Sequence, residues 1–280
     1  MNDQQRNNAR NFVGKCWRFS QRSYGHIREM AEPRLKEPIF FLHLPKCGGT
    51  SIANAIQRRY RASEIGHLDN KACVKAAQYL GRDLDDYRRD LLLYYVLQKD
   101  IRYLSGHFAY SQRAYEESRG RWHFMTVLRH PVDRWFSHFF YNKSTPHNLF
   151  PIPEDLSTFV ETEHGFELGR LYVRNLTEGS DRPDVHTADT SKAVAIAIKV
   201  LDGFSLVGCL EDLDTMCAQF ERRLGVKLRI PVSNRNPVSK LKQREQISEK
   251  IRKRVEEICQ PDLEVYNYAK ERIARECISG

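Results

Sequence analysis

The sequence has 280 residues and a formal net charge of +9, a size and charge typical of one large or two small globular domains with an anionic partner. No apolar run is long enough for a membrane span or a signal peptide, so the sequence predicts a cytoplasmic protein without a transmembrane segment. The seven cysteines lack the spacing of zinc ligands or redox pairs, and no zinc-finger or RNA-binding signature is present, which argues against nucleic acid as the partner.

The N-terminal residues differ in composition from the rest. Residues 1–37 are polar and basic, and we predict an N-terminal arm with a short helix over residues 17–30. Pro33 and Pro38 mark the approach to the first strand. Residues 38–280 contain no internal repeat and are predicted to form a single domain.

The first strand leads into a glycine turn. Ile39–Leu44 is an apolar, strand-like run, and the turn Pro-Lys-Cys-Gly-Gly-Thr-Ser over residues 45–51 precedes a helical pattern that extends to Tyr60. Glycines let backbone N–H groups approach a phosphate, and a helix N-terminus adds about half a positive charge. Lys46 precedes the glycine pair, whereas the lysine of an ATP-binding Walker A loop follows the last glycine. The turn therefore predicts a phosphate-like anion but argues against the γ-phosphate of ATP.

The second strand leads into a segment with an arginine and a serine. Residues 69–100 are predicted to be helical, Tyr103–Phe108 to form a strand ending in a loop, and Trp122–Leu128 to form a buried strand. Arg129 follows directly and Ser137 lies eight residues later, in a helix that begins near Pro131. An arginine at the carboxyl end of a strand can bind a phosphate through its two-pronged guanidinium. The pair predicts a second phosphate site.

The remaining elements complete an alternating pattern. In chain order we predict a loop over Asn142–Pro153, helices over 154–176 and 189–201, a strand over Phe204–Gly208, an acidic helix start at Glu211–Asp214, a basic loop over Ser233–Lys240 and two closing helices. Strands that alternate with helices indicate an α/β fold, with a central parallel sheet and helices on both faces.

These motifs resemble those of a known family. The turn over 41–51 is similar to the 5′-phosphosulfate loop of sulfotransferases, and residues 129–137 are similar to their 3′-phosphate motif. The Ser-Gly-His-Phe run at 105–108 and the strand at 204–208 add to a resemblance over residues 38–225. The carbohydrate O-sulfotransferases, notably the heparan sulfate 2-O and 6-O enzymes and their bacterial counterparts, are the most similar. The resemblance implies a P-loop-like sulfotransferase fold over residues 38–280.

The resemblance also implies a donor and residue roles. The donor is 3′-phosphoadenosine 5′-phosphosulfate (PAPS), from which the sulfuryl group moves in line to an acceptor hydroxyl, and no metal is expected. Lys46 would neutralise charge on the bridging oxygen as the bond breaks, and Arg129 and Ser137 would hold the 3′-phosphate. The residues that would hold the 5′-phosphosulfate are Lys46, Cys47, Gly48, Gly49, Thr50 and Ser51. The acceptor is expected to be a glycan.

The acceptor hydroxyl needs a base, for which the sequence offers two candidates. His107 corresponds in position to the catalytic histidine of the 2-O and 6-O enzymes, and an imidazole titrates near neutrality. Other sulfotransferases use a glutamate after the phosphate loop, which makes Glu64, with His67 close by, the alternative. A structural histidine that closes a strand is the other interpretation of His107.

The other histidines have weaker indications. His43 and His123 lie within apolar strands, which favours histidines of the core. His130 and His138 flank the 3′-phosphate motif, but their spacing assigns no role.

Four further features stay open. Cys47 is expected to contribute only its backbone, and Arg134 faces either solvent or an acidic partner. The loop Arg235–Lys242 is a candidate for 3′-phosphate or acceptor binding, and Arg174 lies in a helix that resembles an acceptor-facing helix of the glycan enzymes.

Two other classes of protein remain as alternatives. A P-loop kinase or phosphotransferase predicts a Walker A lysine and a magnesium-binding acid, and the first is missing. A non-catalytic anion-binding module predicts salt-dependent binding without turnover and a dispensable His107.

Overall fold

A computed structural model describes residues 33–145, 149–184, 186–230 and 245–278. The predicted helix over residues 17–30 and the basic loop Arg235–Lys242 lie outside the described residues, as does most of the predicted N-terminal arm.

The centre of the molecule is a five-stranded parallel sheet with the strand order β2-β3-β1-β4-β5. Its strands are β1 (Ile39–Leu42), β2 (Ile65–His67), β3 (Tyr103–Gly106), β4 (His123–Leu128) and β5 (Leu206–Cys209). The parallel sheet confirms the predicted fold class. Strands β1 and β5 are buried at every position, as expected for a sheet covered on both faces. The short edge strand β2, with a glycine at its centre, was not predicted.

Twelve α-helices surround the sheet in the described part of the chain. They are α1 (Gly49–Gln57), α2 (Asn70–Tyr79), α3 (Leu84–Leu97), α4 (Gln112–Ser118), α5 (Pro131–Lys143), α6 (Leu156–Phe159), α7 (Glu163–Gly169), α8 (Leu171–Leu176), α9 (Ser191–Gly203), α10 (Leu213–Leu224), α11 (Glu249–Ile258) and α12 (Gln260–Ile278). Three short 3₁₀ turns lie at Ala62–Glu64, Gly179–Asp181 and Leu210–Asp212. No helix among these described residues is long and apolar enough to cross a membrane.

Several predicted boundaries need correction. The helix predicted over 69–100 is divided between α2 and α3, because Gly81 has a φ of 59° and Asp83 caps a new helix with hydrogen bonds to two backbone N–H groups. The helix predicted over 154–176 is three short helices, since Asp155 and Thr162 each start a new one as a side-chain cap. Helix α4 was missed.

The two faces of the sheet are covered by different helices. Phe40 and Leu42 point into one buried cluster, with side chains from α3, α8, α9 and α12. Ile39 and Phe41 point into the opposite cluster, with side chains from α1 and α10. Successive strand residues alternate between these clusters, as the period of a strand requires. The result is a three-layer α/β structure.

The register of the strands places three loops together at the carboxyl ends of the strands. Leu42 of β1 lies beside Gly106 of β3 and beside Thr126 of β4. The segments that follow β1, β3 and β4 therefore leave the sheet together, at its carboxyl edge, which is where open parallel sheets bind ligands. The glycine turn, His107 and Arg129 lie in these three segments.

Candidate active site

The glycine turn opens the N-terminus of α1. Lys46 and Gly48 have left-handed backbones with φ of 65° and 73°, and Gly48 is the N-cap of α1. A Cβ on Gly49 would lie 2.1 Å from Cδ2 of His43, so the turn closes over the histidine ring only with glycine at this position. The first N–H groups of a helix have no partner within the helix, and a glycine cap supplies none from a side chain. The turn thus presents backbone donors to an anion.

Lys46 lies between an aromatic ring and an arginine. Its Nζ is 3.5 Å from the centroid of the Tyr141 ring on α5, a cation–π contact. Its carbonyl oxygen accepts a hydrogen bond of 3.2 Å from Nη1 of Arg129. Burial, together with the charge of Arg129, lowers the pKa of Lys46 to about 8. Lys46 and Arg129 therefore form a concentrated positive charge that an anion would relieve.

Tyr172 connects the two phosphate-like motifs. Its hydroxyl donates a hydrogen bond of 2.6 Å to the Arg129 carbonyl and accepts one of 2.9 Å from the Arg129 N–H. The same hydroxyl lies 3.5 Å from Sγ of Cys47 in the glycine turn. This buried tyrosine holds the start of the second motif against the first, although it lies far from both in sequence. Ser137, predicted as a phosphate contact, is buried in α5.

A buried ion pair supports Tyr172 from behind. The Asp262 carboxylate accepts hydrogen bonds from the N–H groups of Tyr172 at 2.9 Å and Val173 at 3.1 Å, at the start of α8. Asp262 also lies 3.9 Å from Nη2 of Arg134, and neither side chain is exposed. Of the two open interpretations of Arg134, the acidic partner is therefore confirmed. The closing helix α12 reaches the site through this pair.

His107 has a defined tautomer. Its Nδ1 lies 2.7 Å from the carbonyl oxygen of His43, and since a carbonyl only accepts, Nδ1 carries the proton. Nε2 then has the lone pair of a neutral imidazole. Burial lowers the pKa of His107 from its ordinary value, which keeps the ring neutral near pH 7. The site therefore contains an imidazole whose free nitrogen is ready to accept a proton.

Glu64 lies at the opposite end of the sheet. It immediately precedes β2, whose first residue pairs with Tyr103 at the start of β3, and its carboxylate lies 3.7 Å from Arg102. A strand of three residues advances about 10 Å, so Glu64 is separated from the glycine turn by the height of the sheet. This position argues against Glu64 as the base. His67 lies at the carboxyl end of β2 and is exposed.

The two histidines predicted for the core have different positions. His43 packs against Gly49, its ring centroid is 4.6 Å from that of His107, and burial lowers its pKa to about 3. It is thus a buried histidine, as predicted, and it lies beside the glycine turn and His107. His123 starts β4 at the far edge of the sheet, where Nδ1 lies 3.1 Å from Oγ of Ser205.

Cys47 and Arg174, two other residues from the sequence analysis, have defined surroundings. Burial raises the pKa of the Cys47 thiol to about 11, so the thiol is unreactive at neutral pH, as a backbone-only role requires. Arg174 forms an ion pair of 2.9 Å with Glu167 and donates a hydrogen bond to the carbonyl of Pro183.

Three residues at the site were not singled out by the sequence: Tyr141, Tyr172 and Asp262. Tyr141 follows Ser137 by one helical turn, a spacing that predicts a shared helix face and was a usable signal. Tyr172 and Asp262 reach the site by tertiary contacts that local spacing does not encode.

The chain is similar to a known protein family and to a solved structure. The sequence model of the sulfotransferase family matches residues 34–269. A crystal structure of mouse sulfotransferase SULT7A1 complexed with PAP is similar to this chain with a TM-score of 0.46 and 13% sequence identity, over 89% of this chain and 91% of the mouse chain. No curated protein matches the sequence.

Proposed function

The chain belongs to the sulfotransferase family, and we propose that it transfers a sulfuryl group from PAPS to a hydroxyl of a carbohydrate, with His107 as the base. The observation that carries the proposal is the hydrogen bond from Nδ1 of His107 to the His43 carbonyl. It leaves Nε2 as a proton acceptor at the same edge of the sheet as Lys46 and the glycine turn.

The donor would be held at both ends of its ribose. Backbone N–H groups of Cys47–Ser51 would contact the 5′-phosphate, with hydroxyl donors from Thr50 and Ser51. Arg129 and Ser137 would contact the 3′-phosphate. Support comes from the left-handed backbone at Gly48 and from the contact of Arg129 with the Lys46 carbonyl, which brings the two motifs together. The positive charges of Lys46 and Arg129 lie close together at the proposed donor site and favour the binding of a highly anionic nucleotide.

The transfer itself would need little covalent chemistry from the protein. The acceptor oxygen forms a bond to sulfur while the bond between sulfur and the 5′-phosphate oxygen breaks. The acceptor proton moves to Nε2 of His107, and the bond electrons leave with the phosphate as adenosine 3′,5′-bisphosphate (PAP). Lys46 would stabilise the charge that develops on the departing oxygen. A base of this kind contributes about 10²–10⁴-fold to the rate.

The carbohydrate acceptor is supported by two observations. The motif around His107 resembles that of glycan O-sulfotransferases, and the net charge of +9 favours an acidic acceptor. We also propose that residues 38–280 are the catalytic domain and that the protein is cytoplasmic. The six described cysteines are free thiols, which is usual in a reducing compartment.

The donor site is tested by thermal unfolding with PAP and with ATP. PAP is expected to raise the melting temperature, because a ligand selective for the native state stabilises it. Lys46→Ala and Arg129→Ala are expected to reduce this shift. A shift with ATP and magnesium but none with saturating PAP would refute the proposal and favour the kinase alternative.

The base and the acceptor are tested by turnover. Products from a panel of sulfated and unsulfated glycans incubated with PAPS are identified by mass spectrometry. His107→Ala is expected to keep the shift of the melting temperature with PAP and to lower turnover by about 10²–10⁴-fold. Glu64→Gln, at the amino ends of the strands, is the matched control and is expected to keep normal turnover. Full turnover in His107→Ala would show that another group is the base.

A further inference from the structure

The ring of His43 lies between the glycine turn and the proposed base. On one side, a Cβ on Gly49 would fall on Cδ2 and Nε2 of His43, so the first residue of α1 is in close contact with the ring. On the other side, the centroid of the His43 ring lies 4.6 Å from that of His107, with an angle of 37° between the two planes. The ring therefore touches both the proposed donor loop and the proposed base.

The backbone of His43 is bonded to the segment that contains His107. Its N–H donates a hydrogen bond of 3.1 Å to the carbonyl of Gly106, and its carbonyl accepts the bond of 2.7 Å from Nδ1 of His107. The buried ring of Phe41 stacks with the His43 ring, with centroids 6.1 Å apart. The position of the His43 ring is thus set by the sheet itself.

These contacts define what the His43 ring can do for the base. A single hydrogen bond fixes one atom of the His107 ring but leaves the ring free to tilt about that bond. The neighbouring His43 ring limits this tilt, and because it also contacts Gly49, it sets the direction of Nε2 of His107 relative to the glycine turn. Burial, and then the charge of His107, lowers the pKa of His43 to about 3, so its own nitrogens are poor proton acceptors near pH 7. His43 can therefore orient the base without competing for its proton.

We propose that His43 is a positioning residue, whose ring holds the imidazole of His107 at a fixed place beside the glycine turn. This inference rests on the function proposed above, with His107 as the base. The acceptor proton moves to Nε2 of His107, and His43 takes up and releases none. Because a misplacement of about 1 Å can cost about 10²-fold in rate, the effect of His43 is expected in kcat and not in the affinity for the donor.

The experiment separates donor binding from turnover. In His43→Ala the backbone bonds to Gly106 and His107 remain. We expect the Kd of PAP, measured by calorimetry, to stay within about threefold, and kcat with PAPS to fall by about 10²-fold. His43→Phe keeps a flat ring and is expected to recover at least about tenfold of that loss. His123→Ala, at the start of β4, is the matched control and is expected to change neither quantity.

A double variant tests the contact between the ring and the glycine turn. Gly49→Ala alone should lower kcat/KM, because the added Cβ meets the His43 ring. In His43→Ala the space of that ring is vacant. Since substitutions of residues in contact have non-additive effects, adding Gly49→Ala to His43→Ala is expected to change kcat/KM by less than about threefold.

Three results would overturn the inference. Additive losses in the double variant would show that the His43 ring does not connect the turn with the base. An equal loss of PAP affinity and kcat in both His43 variants, with a lowered melting temperature, would show a purely structural role. Unchanged kcat in His43→Ala would show that His107 needs no support from the ring. Failure of the unaltered protein to bind PAP, or full turnover in His107→Ala, would instead remove the proposed function on which the inference rests.

Discussion

Replacement of Lys46 by arginine tests whether its charge is needed for donor binding and transfer. Burial and Arg129 lower the pKa of Lys46 to about 8, so the free protein has about 90% of this group charged at pH 7 and about 10% at pH 9. If the charged form alone binds the donor productively, kcat/KM falls about tenfold between these two pH values. An arginine stays charged throughout this range, so Lys46→Arg is expected to lose this alkaline limb.

The assay combines kinetics with calorimetry. We expect kcat/KM of the unaltered protein to decline above pH 8, and its Kd for PAP to rise over the same range. Calorimetry in two buffers of different ionisation enthalpy would show proton uptake on PAP binding at pH 9, approaching one proton per complex. Neither the pKa of the Cys47 thiol, at about 11, nor that of Tyr172, which burial raises well above its ordinary value, falls in this window.

The result that would refute this reasoning is an unchanged alkaline limb in Lys46→Arg. Tyr141→Leu provides a second check, because removing the ring under Nζ takes away a contact that favours the charged lysine. The alkaline limb of Tyr141→Leu should therefore move to lower pH, whereas Tyr141→Phe, which keeps a ring, should leave it in place.

Three further changes test how the site is supported. Tyr172→Phe leaves the N–H and carbonyl of Arg129 without their partner and should lower the free energy of unfolding in urea by about 2 kcal/mol; an unchanged value would mean that water replaces the hydroxyl. Gly49→Ala places a Cβ against the ring of His43 and should lower kcat/KM by about 10²-fold. A kcat/KM near that of the unaltered protein would contradict the close packing of Gly49 on His43. Asp262→Asn leaves the buried charge of Arg134 uncompensated and should lower the free energy of unfolding in urea by about 3–5 kcal/mol. A decrease of less than about 1 kcal/mol would contradict a stabilising ion pair between Arg134 and Asp262.

The sheet was predictable because its strands are buried on both faces. Runs such as those at β1 and β4 are almost entirely apolar, and each is followed by a polar turn that leads into a helix. Strand β2 escaped prediction because it has three residues and a central glycine, which is too little for a periodic signal. The break between α2 and α3 escaped prediction because the repeat of leucines and tyrosines after Gly81 was extended back across it. The left-handed backbone of Gly81 separates the two helices.

The two candidate bases differ in their place in the sheet, which the sequence alone does not reveal. Glu64 and His107 both follow the glycine turn along the chain, so distance in sequence does not separate them. The distinction is that Glu64 precedes a strand and His107 follows one. Once β2 is recognised, the parallel strands place Glu64 at their amino ends and His107 at their carboxyl ends, beside the glycine turn.

The contacts that join the two motifs were the least predictable part of the site, and they bear on the proposed mechanism. Tyr172 binds both Arg129 and the glycine turn, and Asp262 fixes the backbone of Tyr172 while neutralising Arg134 on α5. Any shift of α5 would therefore disturb this network, and it would also move Tyr141 away from Lys46. Because a positioning error of about 1 Å can cost 10²-fold in rate, we expect the buried pair between α5 and α12 to support turnover by keeping Tyr172, Arg129 and the glycine turn of the proposed donor site in one fixed arrangement.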